Sequence, residues 1–155
     1  MADSVIRQLS ENLRQAFIGP AWHGPSFMEL VREVPVDLAP AKPLEHAHSI
    51  WEIALHVAAW NAAIADRLQG KTIELSAEED WPAVRDYSEA AWAETIRTLE
   101  QSYQTLAATI GKLSDAQLST KISNRNHDYL RTIQGIGEHC IYHAGQIAVL
   151  RKSSR

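Results

Sequence analysis

Apolar residues recur along this chain at intervals of three and four, the spacing of helices that bury one face. Between about residues 3 and 18, Ile6, Leu9, Leu13, Ala16 and Phe17 share one side, and Gly19-Pro20 stops the run. A second stripe, Ile50, Ile53, Val57, Trp60, Ile64 and Leu68, occupies about 49 to 69. Ser49 stands at its N-cap with Glu52 in the capping-box position, and Gly70 marks its end. The third stripe is the most regular: Trp92, Ile96, Leu99, Tyr103, Leu106, Ile110 and Leu113 alternate by four and three, with Asp86 and Glu89 marking the start. The fourth, about 131 to 152, aligns Ile136, Cys140, His143, Ile147 and Leu150, and Arg151 and Lys152 complement its C-terminal dipole. Alternating β-branched runs are absent. The expectation is an all-α four-helix bundle, a single domain over residues 1–155 in which four stripes share one core.

The connections are long for a bundle, whose helices are usually joined by about 2 to 8 residues. Here 30 residues (19–48), 16 (70–85) and 17 (114–130) intervene. Sixteen extended residues reach about 50 Å, whereas a 22-residue helix is about 33 Å long. Each link is therefore long enough to cross the bundle, which allows consecutive helices to run parallel. Residues 25–31 (PSFMELV) have the pattern for a turn or two of helix, and Ser76 with Glu79 and Ser114 with Gln117 are capping-box pairs.

Composition narrows the class. With 155 residues, 45% apolar and 22% charged, the chain can bury a core; fifteen Lys and Arg against nineteen Asp and Glu give a net charge of -4. That balance argues against nucleic acid or an acidic membrane as a partner. Cys140 is the only cysteine, which excludes an intrachain disulfide and fits a reducing compartment. No apolar run approaches the roughly 18 residues of a membrane span, and the opening MADSVIRQLSENLRQAF has the mixed charge of an amphipathic helix. A cytoplasmic protein is expected.

Candidate chemistry lies in the seven histidines, at 23, 46, 48, 56, 127, 139 and 143. His139 and His143 are four apart on the fourth helix, so their side chains share a face, and His143 sits in the apolar seam. His56 lies beside the stripe of the second helix. If these two helices are neighbours, three imidazoles converge, the donor set of a catalytic-type divalent site with an open position. Satisfied core histidines fit the same pattern. The zincin motif is absent, because Cys140 stands where its glutamate would follow the first histidine. Cys140 is turned about 100° around the helix from His139 and reads as core packing.

Residues 48–60 (HSIWEIALHVAAW) resemble the second helix of the DinB/YfiT-like superfamily, and residues 135–147 (GIGEHCIYHAGQI) resemble its fourth. Residues 21–26 (AWHGPS) are similar to a segment of one branch of that family. The resemblance spans nearly the whole chain and implies a four-helix bundle with crossed connections. It also implies a divalent metal held by His56, His139 and His143. Zinc or nickel suits neutral imidazoles best, with iron and manganese as further candidates. Many relatives carry Glu five residues after the histidine of the second helix, where this chain has Asn61. Glu52 offers a carboxylate one turn before His56, although a capping role suits it better.

His23, His46, His48 and His127 lie in or beside the links and read as solvated surface residues, with approach to the mouth of the site as the alternative. Trp51, Trp60 and Trp92 read as core before substrate platform. Gly135 and Gly137, costly inside a helix, read as close helix approach or room beside the metal. Trp22, Trp81 and Tyr129 fall in links as candidate exposed aromatics; relatives of this kind frequently dimerise, so a homodimer is expected.

The resemblance implies a divalent-metal-dependent enzyme acting on a small-molecule substrate. Its class would be a thiol-dependent S-transferase or isomerase using a low-molecular-weight thiol such as mycothiol or bacillithiol. A metal-activated hydrolase is the chemical alternative. A non-catalytic, metal-binding stress-response bundle acting through protein partners is the non-enzymatic one.

Overall fold

The computed structural model describes residues 4–153. Six helices follow in order: α1 (Val5–Phe17), α2 (Phe27–Arg32), α3 (Ile50–Leu68), α4 (Ala77–Asp80), α5 (Glu89–Ile110) and α6 (Tyr129–Ser153). Among the described residues there is no strand, only two isolated bridges, Ala21 with Gly24 and Lys121 with Asp128. No helix of these residues is long and apolar enough to cross a membrane.

The capping chemistry fixes where the helices begin. Ser49 Oγ accepts from the Glu52 amide at 3.1 Å while the Glu52 carboxylate accepts from the Ser49 amide at 2.8 Å, starting α3. Glu52 is thus a capping residue, and it also pairs with Lys42. Ser88 Oγ accepts from Ala91 to open α5. Asp128 Oδ1 accepts from the Arg131 amide at 2.9 Å, which starts α6 two residues before its expected position. At the other end, α5 stops at Ile110, short of Leu113, which still packs on the core. Residue 3, the expected start of the first helix, lies outside the described residues.

The cap of α1 comes from far away in sequence. Ser4 provides no side-chain bond to its own helix. Instead the Asp115 carboxylate accepts from the Val5 and Ile6 amides at 3.0 and 2.9 Å and from Ser4 Oγ at 2.7 Å. At the C-terminal end of α1, Gly19 adopts φ 92°, and a Cβ there would meet Glu29 Oε2 at 2.8 Å, so both conformation and space call for glycine.

The four long helices form a ring of neighbours. α3 packs most extensively on α5 and also on α6, while α1 packs on α6 and α5. α1 with α3, and α5 with α6, are therefore diagonal pairs, joined by residues 18–49 and 111–128. Trp51 Nε1 donates to Thr95 Oγ1 at 2.9 Å and Asn61 Nδ2 donates to Ser102 Oγ at 3.1 Å, so α3 and α5 advance together and run parallel. Ser4 meets Asp115 while Phe17 stacks on Tyr103 at 4.5 Å, so α1 runs against α5. Link length permits parallel neighbours in chain order, and α3 followed by α5 uses that permission.

One contiguous core fills the ring, with Phe17, Trp51, Leu99, Leu106 and Ile147 wholly or almost wholly buried. Each such side chain contributes about 1.5–3 kcal/mol on burial. The 19–48 link is part of that core: α2 starts at a Ser26–Glu29 capping box and buries Phe27, Met28, Leu30 and Val31. Trp51 and Trp92 are core residues, their rings 5.0 Å apart. Of the three link aromatics expected at the surface, only Trp22 is fully exposed; Trp81 and Tyr129 are partly buried against the core.

Candidate metal centre

α3 and α6 are neighbours, and their contact brings His56 together with His139 and His143. His56 Nε2 lies 3.0 Å from His139 Nε2, and His143 Nε2 lies 3.1 Å from the same atom. One nitrogen from each ring lies within 4.8 Å of the other two, so the three residues are close enough to hold one metal ion. Nitrogens bound at about 2.0–2.1 Å to one zinc ion stand about 2.9–3.4 Å apart when the angles are near 90–110°.

Hydrogen bonding on the far side of two rings fixes what they present inward. His56 Nδ1 donates to the Asp80 carbonyl oxygen at 2.6 Å, with Asp80 Oδ1 at 3.1 Å. His143 Nδ1 donates to Gln146 Oε1 at 2.6 Å. Each ring in its neutral form then has only a lone pair at Nε2. Both lone pairs point at His139 Nε2, which can satisfy only one of them well with a single N–H. Three lone pairs directed at one cation resolve the conflict, so the donor set fits a divalent ion. His139 Nδ1 is buried and has no hydrogen-bond partner among the described residues.

Electrostatics keep the rings neutral. Burial, reinforced by the neighbouring His143 and His56, pushes His139 down to about 3. Burial likewise pushes His143 down to about 4 against the opposing bond to Gln146. His56 is lowered by burial, against the influence of Asp80. Neutral imidazoles at neutral pH are the form that binds a metal.

Aromatic rings complete the walls. Trp81 stacks on His56 with centroids 3.8 Å apart, and His48 stacks on Trp81 at 3.5 Å, giving a three-ring pile. Trp60 Nε1 donates to Asp80 Oδ1 at 2.6 Å, and its ring lies 6.0 Å from that of His139. The triad opens onto a cavity of about 640 Å³, lined also by Trp60, Trp81, Ile136, Tyr142 and the backbone of Gly135.

The structure sorts the other candidates. His48 belongs to the wall through Trp81, and the exposed His127 lies at the edge of the cavity, whereas His23 and His46 are exposed and do not line it. Trp60 faces the cavity as well as packing on the core. Asn61 is buried and bonds to α5, away from the histidines. A Cβ on Gly135 or Gly137 would meet nothing within 4 Å, so neither glycine serves close helix approach. Cys140 is buried in the core. Sequence reasoning missed Asp80, Trp81 and Gln146. The Ser76–Glu79 capping box was the available signal for the first two, since it starts the single turn of α4 that carries Asp80 to His56. Gln146 lies three residues after His143 on the same helix.

Fold and site together describe a helical protein with a possible three-histidine metal site in a cavity wall. The chain belongs to the DinB superfamily, whose family model matches residues 21–147. No curated protein and no solved structure gives a significant match to the chain.

Proposed function

We propose that the chain is a divalent-metal-dependent enzyme in which His56, His139 and His143 hold the ion. The observation that carries this reading is the convergence of three neutral imidazoles on the wall of a cavity of about 640 Å³. Structural zinc is enclosed by four protein ligands, whereas catalytic zinc has three and an open position. Three histidines beside a cavity match the second pattern. When bound, the ion supplies Lewis acidity, which lowers the pKa of a water or thiol that reaches it. The chain's own groups do the positioning. The Asp80 carbonyl and Gln146 hold His56 and His143 in the tautomer that offers Nε2. Trp81 covers one face of His56 and excludes water from it.

Cys140 does not serve as the nucleophile, because burial drives its thiol up to about 12. A thiol nucleophile must therefore arrive with a co-substrate. Thiol-dependent transfer or isomerisation is the reading that the resemblance favours, with metal-activated hydrolysis as the other arm of the test. Zinc or nickel is the ion best suited to three imidazoles.

Elemental analysis of untagged protein is expected to give about one divalent ion per chain, as one three-histidine site implies. Single alanine substitutions at His56, His139 or His143 are expected to lower that content sharply; unchanged content in all three variants removes the site. In cobalt-substituted protein, a low-molecular-weight thiol is expected to change the visible spectrum. Silence across several cellular thiols would remove thiol transfer and leave hydrolysis standing only if an open coordination position were shown separately.

A further inference from the structure

Arg67, in the last turn of α3, lines the same cavity as the histidines. It is 6% exposed, yet among the described residues no carboxylate lies within ion-pair distance of it. Its contacts are neutral: Nε donates to the Ile73 carbonyl at 2.9 Å, and the guanidinium lies 5.2 Å from the centroid of the Trp60 ring. Buried arginines are almost always paired, because an uncompensated charge away from water is costly.

A second cation sharpens the anomaly. Arg125, from the α5–α6 link, donates to the same Ile73 carbonyl at 3.3 Å and also lines the cavity. Its carboxylate partner, Glu74, stands 3.5 Å away with a side chain 73% exposed. Two guanidiniums thus converge on one neutral oxygen, and burial together with the charge of Arg125 lowers the pKa of Arg67 against the weaker pull of Glu74. Neither a peptide carbonyl nor the one largely exposed carboxylate of Glu74 neutralises two cations. What the arrangement lacks is a second anion, and the cavity gives one room to enter.

We propose that Arg67 and Arg125 form an oxyanion clamp, which binds the carboxylate or phosphate of a small-molecule ligand in the cavity that the three histidines line. The planar forks of two arginines suit either group, each guanidinium offering paired N–H donors to two oxygens. Trp60 joins the two ends of the site, with Arg67 over its ring and His139 6.0 Å from it. The clamp gives the proposed enzyme a substrate class: a small anion whose charged group is held apart from the metal ligands. It rests on the metal reading only for the word substrate, since the binding itself needs no ion.

The test uses inorganic phosphate and succinate as probes, with sodium chloride at matched ionic strength as the control. Thermal melting and calorimetry are followed on chelator-treated and on zinc-loaded protein. Wild-type protein is expected to bind at least one probe saturably in both forms. Arg67→Gln and Arg125→Gln are each expected to weaken that binding at least tenfold, while Arg97→Gln, an exposed residue of α5 paired with Glu94, leaves it unchanged. Arg67→Met is expected to melt no lower than wild type without anion, because it removes an uncompensated buried charge. A purely structural Arg67 would instead lower the melting point and leave probe binding intact. If the Arg67 variants fail to fold, Arg125→Gln decides. His139→Ala is expected to lose zinc yet bind the anion, so failure of the metal site leaves the clamp standing. Absence of saturable binding, or binding that needs zinc and is indifferent to both arginines, overturns the proposal.

Discussion

Cys140 follows His139 in the chain, and the pitch of α6 turns its thiol away from the triad and into the core. Because burial raises that thiol to about 12, the native protein is expected to resist iodoacetamide at pH 8, reacting only once unfolded. Alkylation of folded protein at the rate of a free thiol would contradict the burial. Asp115 illustrates the opposite shift. The Ile6 amide, the Ser4 hydroxyl and the Val5 amide hold its carboxyl below the ordinary value of 3.8. A depressed carboxyl contributes its full stability above the unfolded value and loses it as pH falls through the folded one. Amide exchange in α1, corrected for intrinsic rates, is therefore expected to accelerate below about pH 4 relative to α3 and α5. Asp115→Asn is expected to show faster exchange already at neutral pH. Equal protection of α1 in that variant would mean that core packing alone holds the helix. His139 and His143 were legible because two residues four apart on a helix share a face whatever else the chain does. Arg67 was not, because an arginine in the last turn of a helix already has a reason to be there, in the helix dipole.

At the scale of elements, two substitutions are expected to move stability in opposite directions. Ser49→Ala removes the side-chain half of the cap that starts α3 and is expected to cost about 1 kcal/mol, seen as a melting point lower by about 2–4 °C. Gly137→Ala in α6 meets open space and is expected to add about 0.4–1 kcal/mol by stiffening the unfolded chain and raising helix propensity. Urea titrations of the two variants check both signs. A loss at Gly137→Ala would show that the α1–α6 surface closes over that position. The four long helices could be read from the chain because their stripes repeat over many turns. The single turn of α4 has no such repeat, and among its described residues none is buried. Its importance is that it delivers one carbonyl and one carboxylate to His56 and Trp60.

For the whole molecule, periodicity says that four faces must be covered but not which helix covers which. The ring order of α1, α6, α3 and α5 is set by pairings outside any local pattern: Trp51 with Thr95, Asn61 with Ser102, Ser4 with Asp115. That last pairing also bears on how the chain is made. α1 leaves the ribosome before the other helices described, but the carboxylate that completes its start lies 110 residues behind Val5. At about 5–20 residues per second, that carboxylate is added about 5–20 s after Val5. Its main neighbour, α6, is later still. Until then α1 has α2 beside it, through Phe17 stacked on Phe27, but lacks both its cap and its most extensive partner. Nascent chains halted before residue 115 are expected to be cut within α1 by a protease that spares the finished protein.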